Sequence, residues 1–87
     1  VRHRASQRFW QSYDRLPSHI RKLADKSFEL LKQDPHHPSI HFKKIGRFWS
    51  ARVGLYYRAL AVENGEDLIW FWIGHHSEYD LLVRGDR

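Results

Sequence analysis

The sequence predicts an α+β domain: an N-terminal helical hairpin packed on an antiparallel β-meander of three to four strands, closed by a short C-terminal helix or turn. Two segments with helical spacing of apolar residues come first. After Asp34-Pro35 the apolar period drops from helical to alternating, and turn signals divide the rest of the chain into short segments. Helices segregated from an antiparallel sheet in this way define the α+β class. With 87 residues, the chain 1–87 is expected to form one domain.

In the first helix, from Ala5 to Arg15, Phe9, Trp10, Tyr13 and Leu16 fall at helical spacing. Pro17 opens the second, because proline is well tolerated in a first turn. Ile20, Leu23, Ala24, Ser27, Phe28 and Leu31 mark its inner face, and Arg21, Lys22, Asp25, Lys26 and Glu29 its outer one. Asp34-Pro35 ends it, since the residue before proline avoids helical backbone. A short strand is expected over Ile40–Ile45, with Ile40, Phe42 and Lys44 opposed to His41, Lys43 and Ile45. Gly46-Arg47 turns the chain into Phe48–Val53, Gly54 marks a turn or bulge, and Leu55–Val62 forms the next strand. Asn64-Gly65 signals a hairpin turn, and Leu68–Ile73 is apolar on both faces, as a buried strand is. The segment His75–Val83 is expected to carry Leu81 and Leu82 back onto the body.

Composition narrows the functional classes. Four Trp, four Tyr and five Phe supply a core, and with no Cys neither a disulfide nor a thiolate metal site can staple it. The longest apolar run, Leu68–Ile73, is far too short to span a bilayer, and the basic N-terminus leads into no apolar signal segment. A cytoplasmic protein without a membrane partner is the expectation. The net charge of +5 is uneven: residues 1–58 hold 13 Lys and Arg against 4 Asp and Glu, and residues 59–87 hold 2 against 6. Such a basic portion favours a polyanionic partner, although a solvated basic surface gives the same pattern.

Three stretches carry a family resemblance. They are Asp34-Pro35-His36-His37-Pro38-Ser39 before Phe42-Lys43-Lys44, Trp49-Ser50-Ala51-Arg52-Val53-Gly54 before Tyr57-Arg58-Ala59-Leu60, and Trp70-Phe71-Trp72-Ile73-Gly74 before His76-Ser77-Glu78-Tyr79-Asp80. In this order the chain resembles the RelE/ParE toxins over nearly its whole length. The resemblance implies a toxin of a type II toxin–antitoxin pair, neutralised by a cognate antitoxin. It also implies one of two activities: ribosome-dependent cleavage of messenger RNA by RelE-like members, or inhibition of DNA gyrase without such chemistry by ParE-like members. Members of this family open with a β-strand, and the few residues before Phe9 leave that strand very short or absent.

Cleavage of RNA by its own 2′-hydroxyl needs a base, an acid for the leaving 5′-oxygen, and cations for the growing phosphoryl charge. Histidine suits the proton work and arginine the phosphate. His76, at the Gly74-His75-His76 strand end, is the expected acid or base, with His75 as its adjacent rival. Arg58 and Arg52 lie on successive strands and can converge if the register permits, and Tyr79 follows a few residues after His76. Against these roles stand an ordinary capping histidine and an arginine paired with Glu78 or Asp80. Lys43 and Lys44 alternate, so one binds the RNA backbone and the other serves the opposite surface, while Arg47 is a backbone contact at the turn. Arg2, Arg4 and Arg8 read as a solvated basic start. Of the seven His, His36, His37 and His41 match no zinc spacing, so neither a metal nor another cofactor is expected. The Trp70–Trp72 run reads as core rather than as a stacking platform. The leading expectation is a metal-independent messenger RNA endoribonuclease acting with the ribosome; the alternative is a gyrase inhibitor.

Overall fold

The computed structural model describes residues 1–85. Its elements in chain order are β1 (Arg2–Ala5), α1 (Gln7–Asp14), α2 (Ser18–Gln33), β2 (Lys43–Ile45), β3 (Phe48–Val53), β4 (Tyr57–Asn64), β5 (Asp67–His75) and α3 (His76–Arg84). One five-stranded sheet runs in the order β1-β5-β4-β3-β2. The predicted meander is present as β2–β5, and a fifth strand joins it: β1 pairs with β5 in parallel, Arg2 opposite Asp67 and Ala5 opposite Trp70. The sheet is therefore mixed. The β1 side chains are mostly exposed, so no apolar alternation announces the strand. Long-range contacts hold it: Asp67 carries Arg2 Nε at 3.0 Å and Arg4 Nη1 at 3.4 Å, and the Trp70 indole N–H donates to His3 Nδ1 at 3.0 Å.

Local chemistry sets the helix starts. The Ser6 hydroxyl accepts the Phe9 N–H at 3.2 Å, capping α1 two residues later than its apolar spacing suggests. The Ser12 hydroxyl donates to Phe9 O and accepts the Ile73 N–H at 3.1 Å, tying α1 to β5. Ile20, Ala24 and Leu31 of α2 are buried, whereas Leu23 and Phe28, expected on the same face, stay 40% and 38% exposed.

The sheet has a core on each face. On the side of the α1–α2 hairpin, Leu16, Ile20, Ala24, Leu31 and Ile40 pack with Ala51, Val53, Ala59, Ala61, Trp70 and Ile73. On the other side, Phe48, Leu60 and Trp72 pack with Tyr79 and Val83 of α3. Strand alternation supplies both sets, and a register shift between Leu60 and Ala61 supplies the exception. Leu60 pairs with Trp72 and Ala61 with Trp70, so Phe71 is the extra residue and joins Trp72 on the α3 face. Both tryptophans are buried, as the apolar run suggested. The segment expected to anchor through Leu81 and Leu82 does so through Leu82, which packs partly buried beside Tyr79 and Val83, while Leu81 stays 67% exposed.

Among the strand boundaries that differ from the expectation, two shape the site. β2 begins at Lys43 rather than Ile40, because His41 lies in the left-handed region at φ 47. β4 begins at Tyr57, with Gly54, Leu55 and Tyr56 forming the turn before it. At the other hairpin Gly65 takes φ 63, the conformation glycine adopts without penalty, and Asn64 remains in the strand.

Candidate active site

Arg52 of β3 and Arg58 of β4 are directly opposed cross-strand partners. Alternation puts both on the α3 face, beyond Ser50 and Leu60 in the same rows. Together with His41, Lys43, Ser50 and Tyr79 they line a cavity of about 140 Å³, all of whose lining residues are polar or carry a polar tip. Lys43 enters from β2, where it pairs with Ser50, and Tyr79 enters from α3.

The electrostatics of this cavity are one-sided. Among the described residues neither arginine has a carboxylate partner, which sets aside pairing of Arg58 with Glu78 or Asp80. Arg58 Nη1 donates to Tyr57 O at 2.8 Å, fixing its guanidinium against its own strand. Burial, with the charge of Arg52 next, lowers the Arg58 pKa from its ordinary value, while Tyr79 and Asp80 pull the other way. Arg52 Nε is closed off from solvent and has no hydrogen-bond acceptor. Buried donors are normally satisfied, and leaving one unsatisfied costs ~1–3 kcal/mol, more for a charged group. Two adjacent guanidinium groups lining one cavity can receive an anion, and the planar fork of arginine suits phosphate oxygens.

The expected site residues separate into two groups. Arg52, Arg58, Tyr79 and Lys43 come together. Lys44, on the opposite face, pairs with Glu63 at 3.7 Å, and Glu63 also accepts the Trp49 indole N–H at 2.6 Å. Arg47 lies over the Phe48 ring at 5.2 Å. It lies five positions before Arg52, on the order of 15 Å along a strand at ~3.3 Å per residue. His76 is the first residue of α3, one turn before Tyr79, and does not line the cavity. Its backbone N–H donates to Tyr56 O at 2.7 Å, and its Nδ1 lies 4.0 Å from Asp80 Oδ2. His75 is the cap of that helix: its Nδ1 accepts the Ser77 N–H at 3.2 Å.

His41 and the buried Ser50 are the lining residues that were not expected here, and His41 carries the chemistry. Its neighbours hold it in place. Ile40 is 1% exposed and accepts the Arg52 N–H at 2.6 Å, and Phe42 stacks on Trp49 with ring centres 4.7 Å apart. Among the described residues it is the one non-glycine residue with positive φ. Such a conformation costs of order 1–3 kcal/mol and collects at functional sites. The alternation of Ile40 and Phe42 was a readable signal that His41 points away from them. What it points towards depended on the fold of β3 and β4. No three His, Asp or Glu side chains among the described residues are grouped to hold a metal ion. No helix among them is long and apolar enough to cross a membrane.

The comparisons with known proteins place this chain in the RelE/ParE toxin superfamily. Solved structures bear out the fold. The RelB–RelE antitoxin–toxin complex of Methanococcus jannaschii matches with 25% identity and a TM-score of 0.69, over 90% of this chain and 96% of that one. The RelBE2 toxin–antitoxin complex of Mycobacterium tuberculosis matches at 20% identity and a TM-score of 0.64, over 85% and 95%. A doubly substituted Escherichia coli RelE in the free state matches at 12% identity and a TM-score of 0.67, over 98% and 90%. Residues 18–80 match the model of the ParE-like toxin domain, and the chain belongs to that family. No curated protein sequence matches it.

Proposed function

We propose that this toxin is a metal-independent endoribonuclease that cuts messenger RNA on the ribosome and is neutralised by a cognate antitoxin. The observation that carries the reading is the Arg52–Arg58 pair, without a carboxylate partner among the described residues, in a cavity shared with Lys43 and Tyr79. A pentacoordinate phosphoryl group carries more charge on its oxygens than the phosphodiester does. Fixed guanidinium groups therefore favour the transition state over the ground state. The charge role that a metal ion often fills is met here by side chains, with Lys43 as a third cation. The Tyr79 hydroxyl is the proton donor available to a leaving 5′-oxygen.

An antitoxin partner has two supports. The matched M. jannaschii and M. tuberculosis toxins are bound to theirs. This chain also leaves Trp10, Leu23 and Phe28 partly exposed around the helical hairpin. A second reading, inhibition of DNA gyrase without catalysis, is favoured by the ParE-like character of the matched family.

The two readings part in one experiment. Protein is added to a translating extract, message ends are mapped with and without ribosomes, and gyrase supercoiling is assayed alongside. Ribosome-dependent cuts that fall by at least about a hundredfold in Arg58→Ala and in Arg52→Ala are expected. Intact message together with blocked supercoiling would replace the ribonuclease reading with the gyrase one.

A further inference from the structure

We propose that His41 accepts the proton of the ribose 2′-hydroxyl during this cleavage, an assignment that rests on the ribonuclease reading. Six of the described residues line the cavity, and their chemistry is unequal. A guanidinium such as those of Arg52 and Arg58, or an ammonium such as that of Lys43, has donors and no acceptor. Ser50 is 2% exposed beneath them, and a tyrosine hydroxyl is ordinarily protonated near neutrality. Imidazole is the one lining group that ordinarily takes up a proton in this range. Among the described residues the His41 ring makes no hydrogen bond or ion pair, so its nitrogens are not committed elsewhere. The contrast with the strand-end histidines is direct. His75 Nδ1 is used in capping α3, and His76 faces Asp80 outside the cavity.

Placement supports the role. His41 reaches the cavity from the β2 side of the sheet and Tyr79 from α3, with Arg52 and Arg58 on the strands between them. An in-line displacement needs its base and acid on opposite sides of the phosphorus, with cations on the equatorial oxygens. The step then balances. O2′ gives its proton to His41 and bonds to phosphorus as the P–O5′ bond breaks. O5′ takes the Tyr79 hydroxyl proton, leaving a 2′,3′-cyclic phosphate and a 5′-hydroxyl. Solvent removes the proton from His41 and returns one to Tyr79. The charged groups around His41 are Lys43 of β2, Arg52 of β3 and Arg58 of β4, with Asp80 of α3 acting at longer range on Arg58.

The test is single-turnover cleavage of a defined message on programmed ribosomes, followed from about pH 6 to about pH 8.5, the range in which imidazole titrates. His41→Asn and His41→Gly are the variants of choice, since asparagine and glycine both accept left-handed backbone. His41→Asn is expected to slow cleavage by at least about a hundredfold and to abolish the loss of rate on acidification. Added imidazole is expected to revive His41→Gly and not Arg58→Ala. His76→Ala is expected to stay within about tenfold of the wild type and to keep its acid limb. Wild-type rate and acid limb in His41→Asn, or transfer of that loss to His76→Ala, would overturn the assignment of His41 and leave the ribonuclease standing. A wild-type protein that cuts no RNA would instead remove the reading on which the assignment rests.

Discussion

Gly74 sits opposite Arg58 in the β4–β5 pair, and the space a side chain would need there is already filled. A Cβ built on Gly74 would lie 2.5 Å from Trp72 Cζ2 and 3.1 Å from Cε2 and Cη2. The indole cannot yield freely, because Trp72 is 8% exposed and packed with Leu60, Tyr79 and Val83. The Gly74 φ is not left-handed, so the glycine is required for room rather than for conformation. Two effects of Gly74→Ala therefore oppose each other. Alanine restricts the unfolded chain, worth ~0.4–1 kcal/mol in favour of folding, while overpacking a filled core costs ~1–3 kcal/mol. The clash wins, leaving a net loss of roughly 1–2 kcal/mol, or ~4–16 °C in Tm for a domain of this size. A moved indole also displaces Tyr79, so cleavage should fall more than stability alone explains. Thermal melts of a four-member cycle with Trp72→Leu measure the coupling. The large ring is the obstacle, so Gly74→Ala added to Trp72→Leu should cost under about 0.5 kcal/mol. An equal cost in both backgrounds would refute the clash.

Leu60, 0% exposed beneath the arginine pair, should cost ~2–5 kcal/mol as Leu60→Ala, read by urea denaturation. Arg58→Lys keeps the charge but loses the fork, so cleavage should fall by at least about tenfold with Tm little changed; parity of rate would show that charge alone matters. His3 has its pKa lowered below the ordinary 6.5, chiefly by burial and further by nearby positive charge including Lys32. Above pH 6.5 both states are neutral there. As pH falls below it the unfolded chain takes up the proton first, so stability should drop with acidification and the slope should shrink in His3→Gln, by denaturation at a series of pH values. Hydrogen bonding from Arg2 is the leading cause of the lowered Asp67 pKa. That stabilising contribution is present above the ordinary carboxylate range and is lost as pH falls through the lowered value. Asp67→Asn should remove this acid-side loss and speed amide exchange in β1.

The order of elements was legible because periodicity is a local property. Apolar spacing gave the two helices, Asp34-Pro35 their end, and Asn64-Gly65 the last hairpin. Alternation also put Arg58 on the face opposite Tyr57 and Ala59, so the arginine pair was readable apart from its register. β1 was not legible as a structural strand, since it is held by Asp67 and Trp70 more than sixty positions away. The division of Lys43 from Lys44 followed from alternation, but which of them met the arginines depended on β2 pairing with β3. The strand-end position favoured His76, but it opens α3 beside Asp80 and does not line the cavity. His41 came to the site because Ile40 and Phe42 are anchored in the core and the Ile40 carbonyl is bound by Arg52. Sequence determined which chemical groups were available and on which side of each element they lay. The tertiary structure decided which of them share a cavity, because that depends on contacts between residues far apart in the chain.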